Sequence, residues 1–146
     1  MIYLDTSYLL KLYVFEQGSG EVAAWLTGKS GLLCARHGRL ELVAAFKRHQ
    51  RENRLDARGF RQAMTRLETD EASRLIEWLP VGNALIDTAC EKVATIPAAI
   101  YLRAGDALHL AAAASAGLKE IYSHDRHLLA AAPHFGLKGI DVIKSS

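Results

Sequence analysis

The sequence has little with which to staple or anchor itself. It holds two cysteines, Cys34 and Cys90, which form no CxxC pair and sit in apolar stretches. Two buried thiols are expected, and nothing resembles the disulfide framework of a secreted scaffold. No apolar run approaches the roughly 18 residues that a membrane-spanning helix needs. The opening Met1-Ile2-Tyr3-Leu4-Asp5 lacks a basic leader and reaches an acid at once, so no signal peptide is read there. A soluble, intracellular (cytoplasmic) protein is the expectation. HExxH and paired Cys/His spacings are also missing, which argues against zinc, although His124, Asp125 and His127 stand close together as a rival transition-metal set. There is no internal repeat and no low-complexity segment.

What is present fits one domain over 1–146. Half of the 146 residues are hydrophobic, enough for a core without staples. The formal charge of +2 says little, but its distribution is uneven. Arg36, Arg39, Lys47, Arg48, Arg51, Arg54, Arg58, Arg61 and Arg66 are opposed in that stretch only by Glu41, Glu52 and Asp56. Such an excess attracts a polyanion, or it is simply a pair of solvated helical faces. Arg36, Arg39, Arg48 and Arg51 are the candidates for steering such a polyanion.

Strands and helices alternate along the chain. Ile2-Tyr3-Leu4 is a β-prone run ending at Asp5, and Thr6 or Ser7 can cap a helix from Tyr8 to Phe15. A second helix covers Glu21–Leu26 and stops at Gly28, and Gly31–Ala35 reads as a buried strand. The next helix runs Arg39–Arg51, with Leu40, Val43, Ala44 and the stem of Lys47 on one face. Asp56 caps a helix over Ala57–Glu71, and Leu75–Val81 is a strand whose Pro80 suggests an edge position. Asn83 caps a helix to Thr95, and Pro97 precedes a strongly helical Leu102–Ala116 stopped by Gly117. Glu120–Ser123, a short helix His127–Ala131 and a last strand Lys138–Ile143 complete the pattern. The alternation predicts an α/β fold, a mainly parallel sheet covered on both faces. Ligands then bind beyond the carboxyl ends of the strands, near the switch in strand order.

Four acids map to that edge. Asp5 ends the first strand. Glu41 sits in the first turn of the apolar helix Leu40-Glu41-Leu42-Val43-Ala44-Ala45-Phe46. Asp106 lies in Leu102-Arg103-Ala104-Gly105-Asp106-Ala107-Leu108-His109-Leu110-Ala111, and Asp125 in Ser123-His124-Asp125-Arg126-His127. Each has an ordinary structural explanation: a cap for Asp5 and Asp125, the helix dipole for Glu41, an ion pair with Arg103 for Asp106. Gathered together they would repel, and a divalent cation removes that problem. Carboxylate oxygens suit Mg²⁺ or Mn²⁺. Asp5, Asp106 and Asp125 are the expected ligands, and Glu41 the group that orients or deprotonates water. Thr6, Ser7, Arg103 and Ser123 are expected to support the acids or the substrate. His109 reads as a core or supporting histidine.

The order and setting of these motifs resemble the PIN-domain ribonucleases and, within them, the VapC-type toxins of toxin–antitoxin pairs. The matching pieces are Ile2-Tyr3-Leu4-Asp5-Thr6-Ser7, Leu40–Phe46, Leu102–Ala111 and Tyr122-Ser123-His124-Asp125-Arg126-His127-Leu128. The resemblance implies an α/β/α sandwich and Mg²⁺- or Mn²⁺-dependent cleavage of RNA. It also implies frequent homodimers and a small cognate antitoxin that blocks the site, commonly by inserting Arg or Lys. Asp5, Glu41, Asp106 and Asp125 occupy the family's acidic positions. The basic Ala35-Arg36-His37-Gly38-Arg39 and the His of Ser123-His124-Asp125 depart from the commonest pattern.

Three other functions compete. A haloacid-dehalogenase-like phosphatase also starts from an Asp after its first strand, but needs a second Asp where this chain has Ser7. A non-catalytic RNA-binding regulator has no use for four acids in its groove. A PIN-fold nuclease acting on DNA or flap substrates shares the metal chemistry and is the nearest rival.

Overall fold

The computed structural model describes residues 1–144. Strands β1 (Ile2–Tyr3), β2 (Leu32–Ala35) and β3 (Ile76–Leu79) pair in parallel in the order β1-β2-β3, and β4 (Glu120–Tyr122) pairs in parallel with β5 (Lys138–Ile140). A parallel bridge between Leu4 and Tyr122 joins the two parts. The spatial order is therefore β3-β2-β1-β4-β5, with the reversal of winding between β1 and β4. β3 is an edge strand and ends just before Pro80, as the missing N–H of proline requires.

Helices α1 (Thr6–Tyr13), α2 (Ser19–Leu26), α3 (Arg36–Arg51) and α4 (Ala57–Ala72) pack together on one face. Helices α5 (Asn83–Thr95), α6 (Ala104–Ser115) and α7 (Arg126–Ala131), followed by a 3-10 turn at Ala132–Phe135, cover the other. Right-handed crossovers force this division, because the chain winds one way through β3 and the other way afterwards. Leu4, Leu33, Leu42, Phe46, Leu110, Ile121 and Leu128 are fully buried between the layers. No helix among the described residues is long and apolar enough to cross a membrane.

Several local expectations are corrected. Helix α1 begins at Thr6, because Asp5 is its cap: the Asp5 carboxylate accepts from the Tyr8 N–H. Neither Thr6 nor Ser7 caps it: the Thr6 hydroxyl donates to Glu41 and that of Ser7 to Asp5 itself. Helix α3 begins at Arg36, directly after β2 and without a side-chain cap. Glu41 therefore lies beyond the first turn, where the dipole favours a carboxylate less. The buried face of α3 is Gly38, Leu42, Ala45, Phe46 and His49, while Leu40 is 73% exposed. Both stripes keep helical spacing on opposite faces, and the one carrying Phe46 and Leu42 removes more apolar surface from water. Gly82 rather than Asn83 precedes α5 as its cap. Cys34 is buried, but Cys90 is exposed, because α5 lies on the outside and buries little beyond Ala89; both thiols are free. β5 ends at Ile140, short of Ile143.

Candidate active site

Four elements deliver one acid each to a single open cavity of about 350 Å³ at the carboxyl edge of the sheet. Asp5 arrives at the β1–α1 junction, Glu41 from α3, Asp106 from the first turn of α6, and Asp125 as the cap of α7. The cavity lies at the β1/β4 reversal, since the Asp5 N–H donates to the Tyr122 carbonyl (3.1 Å).

Asp5 is the most enclosed of the four, at 4% exposure. Its Oδ1 accepts from the Ser7 hydroxyl (2.6 Å) and the Tyr8 N–H (3.2 Å), and its Oδ2 from the Ser123 hydroxyl (2.6 Å). Burial raises its pKa, although the charge of His109 and these hydrogen bonds pull the other way. The Ser7 oxygen in turn accepts from the His124 N–H (3.0 Å) and that of Ser123 from the Asp125 N–H (2.9 Å). These serines tie the first acid to the loop that carries the last.

Asp106 and Asp125 share a cation already present in the chain. The Arg103 guanidinium donates through Nε to Asp106 Oδ2 (3.1 Å) and through Nη2 to Asp125 Oδ2 (2.6 Å). Asp125 uses its other oxygen to cap α7, accepting from the His127 and Leu128 N–H groups (2.8 and 3.1 Å). Asp106 keeps Oδ1 free of protein donors among the described residues, and burial raises its pKa against the pull of Arg103.

Glu41 belongs to a different network. Its Oε1 accepts from the Thr6 hydroxyl (2.8 Å) and lies 2.7 Å from His109 Nε2. His109 is buried, and its Nδ1 is 2.7 Å from the Tyr3 hydroxyl, which itself accepts from the Ala35 N–H. Burial works against charge on this ring, yet the neighbouring Cys34 and Glu41 push the imidazole up to about 10. Burial also opposes ionisation of Glu41, but the His109 hydrogen bond and charge hold it down to about 2. The pair is an imidazolium and a carboxylate.

Glu41 Oε2 faces the backbone of Gly105. A Cβ on that glycine would stand 2.7 Å from Glu41 Oε2, so the close approach of α6 to α3 depends on its absence. We expect Gly105→Ala to displace the Glu41 carboxylate and lower turnover roughly tenfold, the scale for groups that orient a reacting centre. Stability should change little, because the clash falls on a flexible chain end. Cleavage rates beside thermal melts of the same samples check this.

The structure thus brings Asp5, Glu41, Asp106 and Asp125 to one cavity, with Thr6, Ser7, Arg103 and Ser123 each hydrogen-bonded to one or more of them. It does not gather the four arginines. Arg48 lines the cavity, whereas Arg36 and Arg39 line a separate groove with Val81, and Arg39 is tied to Glu71 (2.8 and 3.2 Å). Arg51 ends α3, which at about 1.5 Å per residue puts it some 22 Å from Arg36. The His124–Asp125–His127 alternative disperses: His124 bonds Asp141 (2.7 Å) and His127 packs on Tyr101.

Tyr3, Glu16 and His37 were missed in the sequence. Glu16 lines the cavity but is paired with Lys11 (2.8 Å). His37 Nε2 donates to the Gly105 carbonyl (2.9 Å), and burial lowers its pKa. Tyr3 carried a signal in its spacing, two residues before Asp5 and so on the same side of the strand. Among the described residues, the only three ligand atoms within 4.8 Å of one another come from His37, Glu41 and His109. An imidazolium has no lone pair to give, so this set is an ion-pair network. Asp5, Asp106 and Asp125 do not bring one oxygen each within that distance of one another, but they offer the hard carboxylate oxygens that a divalent cation takes, two of them disfavoured by burial and one with an unused oxygen.

A parallel α/β sandwich with an acidic cavity at its switch point defines a class, and the family comparison agrees with it. The PIN-domain model matches residues 2–133, and the chain belongs to the PIN-domain family, among its VapC-type ribonucleases. It is 31% identical over 142 residues to Ribonuclease VapC47 of Mycobacterium tuberculosis, covering 93% of each chain. Two solved structures share the fold. Mycobacterium tuberculosis VapC20, described as a sarcin-ricin-loop-cleaving toxin, superposes with a TM-score of 0.70 at 19% identity, over 90% of this chain and 95% of that one. PAE2754 from Pyrobaculum aerophilum gives 0.59 at 20% identity, over 95% of this chain and 83% of the other.

Proposed function

We propose that this single domain is an Mg²⁺- or Mn²⁺-dependent endoribonuclease, the toxin of a type II toxin–antitoxin pair. The observation that carries the reading is the convergence of four acids from distant segments on one cavity, in a chain whose relative is a ribonuclease. Asp5, Asp106 and Asp125 would hold the cation. When bound, it supplies Lewis-acid polarisation of a phosphodiester oxygen and a more acidic water. Ser7 and Ser123 fix both oxygens of Asp5, and since Oδ1 also accepts from the Tyr8 N–H, Oδ2 is the oxygen with a lone pair left to offer. Glu41, held near pKa 2, is too weak a base to take a proton at neutral pH and instead orients water through its free Oε2. Phosphoryl chemistry that needs a second Asp two residues after the first is disfavoured, because Ser7 there donates to Asp5.

Arg103 neutralises Asp106 and Asp125 and so competes with the cation for them. Arg103→Gln is expected to tighten Mn²⁺ binding several-fold in titration calorimetry; unchanged or weaker binding would contradict the competition. A cognate antitoxin and a homodimer complete the proposal. The apolar groove of α5 and α6, with Ile86 and Val93 exposed beside it, supports the second. The direct experiment is to incubate purified protein with RNA and DNA pools in Mg²⁺, Mn²⁺ or EDTA. Metal-dependent RNA cleavage supports the reading, and cleavage of DNA alone favours the DNA-directed rival.

A further inference from the structure

Phe15 is 92% exposed, the least covered large apolar side chain among the described residues. A single exposed aromatic is ordinary. Its surroundings are not. Phe15 lines a groove of about 690 Å³ together with Arg58, Arg61 and Arg66, and no acid lines that groove. The three arginines all lie on α4, are exposed, and make no ion pair among the described residues. Phe15 also lines a second groove, of about 510 Å³, of mixed charge, with Lys29, Arg66 and Asp70, beside Lys11, which is spent on Glu16. The next residue, Glu16, is part of the wall of the acidic cavity. The ring therefore stands one residue along the chain from the wall of the acidic cavity, in a groove whose charged residues are all basic.

We propose that Phe15 is a stacking platform for an unpaired base of single-stranded RNA, and that Arg58, Arg61 and Arg66 hold the phosphates leading away from the cavity. This rests on the ribonuclease reading and supplies its substrate-positioning surface. Every base has a flat face that stacks on an aromatic ring, and successive phosphates need cations along the track. The acidic cavity repels a polyanion, so binding strength has to come from a neighbouring surface of opposite sign. That surface is α4 and the end of α1, rather than the dispersed Arg36, Arg39 and Arg51. Phe15 positions the strand and takes no part in bond breaking.

The test uses the full chain in EDTA, where no cleavage occurs, and a fluorescein-labelled 12-nucleotide single-stranded RNA. Phe15→Ala is expected to weaken binding about tenfold, the usual effect of removing one base-stacking ring. Phe15→Trp is expected to restore affinity, with its added fluorescence quenched on binding beyond that of the parent. Replacing Arg58, Arg61 and Arg66 by Gln is expected to flatten the slope of log Kd against log salt by about 2, at roughly 0.7 per phosphate contact on a single strand. Unchanged affinity in Phe15→Ala, or added indole emission in Phe15→Trp that RNA leaves untouched, overturns the proposal while leaving cleavage by the parent intact. So does retention of RNA binding with loss of a co-purified protein partner, which assigns the surface to protein docking. If the parent neither binds nor cuts RNA in Mg²⁺ or Mn²⁺, it is the ribonuclease reading itself that fails.

Discussion

Asp5→Asn is expected to give a folded protein whose RNA cleavage falls about a thousandfold or more. Side chains that only orient a ligand cost roughly 10–100-fold when removed. Asp5 is placed to bind the cation itself, and an amide replaces the negative charge that does so with a neutral group. The fold should survive, for a reason visible in the site. Asn keeps one acceptor for the Ser7 hydroxyl and the Tyr8 N–H, and its NH₂ can donate to Ser123 once that hydroxyl turns. The substitution also removes a carboxylate that burial disfavours, so a change within about 1 kcal/mol is expected. Thermal melting, Mn²⁺ titration and RNA cleavage on one preparation separate these effects. A variant that melts normally yet still cuts RNA at the parent rate would remove Asp5 from the reaction.

Asp5 and Asp106 were legible in the sequence because each stands where a carboxylate is costly, at the end of an apolar strand or on a largely buried helix, and Glu41 and Asp125 because they follow strands at the same edge. Their neighbours were legible for the same reason, as short hydroxyl side chains within two residues of an acid. The phase of α3 was not. Its two apolar stripes have the same period, and only the packing of Phe46 against Tyr13 and the sheet decides between them. For the cap of α1 the sequence offers Thr6, Ser7 and Asp5 alike, because hydroxyls and carboxylates compete for that role by similar chemistry, and the structure takes Asp5. Distances between segments were invisible too. That Arg103 bridges Asp106 to Asp125, that Glu41 leans on Gly105, and that Arg39 is spent on Glu71 follow from how the layers meet.

His109 is where packing and chemistry are hardest to separate, and its replacement should show both. His109→Leu keeps the volume but leaves Glu41 and the Tyr3 hydroxyl without their partner. Breaking a fully buried pair costs about 3–5 kcal/mol, and the partial exposure of Glu41, at 39%, reduces this to about 2–3 kcal/mol. The pH dependence follows from the two shifts. The imidazole rises from an ordinary 6.5 to about 10 on folding, so its contribution is complete below pH 6.5 and is lost as pH climbs through 10. Glu41 falls from 4.5 to about 2, so its contribution is complete above pH 4.5 and is lost as pH drops through 2. The pair therefore stabilises the parent most between these limits, near pH 4.5–6.5. Urea unfolding is expected to show the parent losing stability between pH 6 and pH 9, with His109→Leu nearly flat over the same range. Activity should fall as well, because Glu41, which lines the cavity, loses the partner that holds its carboxylate. Parallel losses in parent and variant between the two pH values would mean that His109 is not the group that titrates.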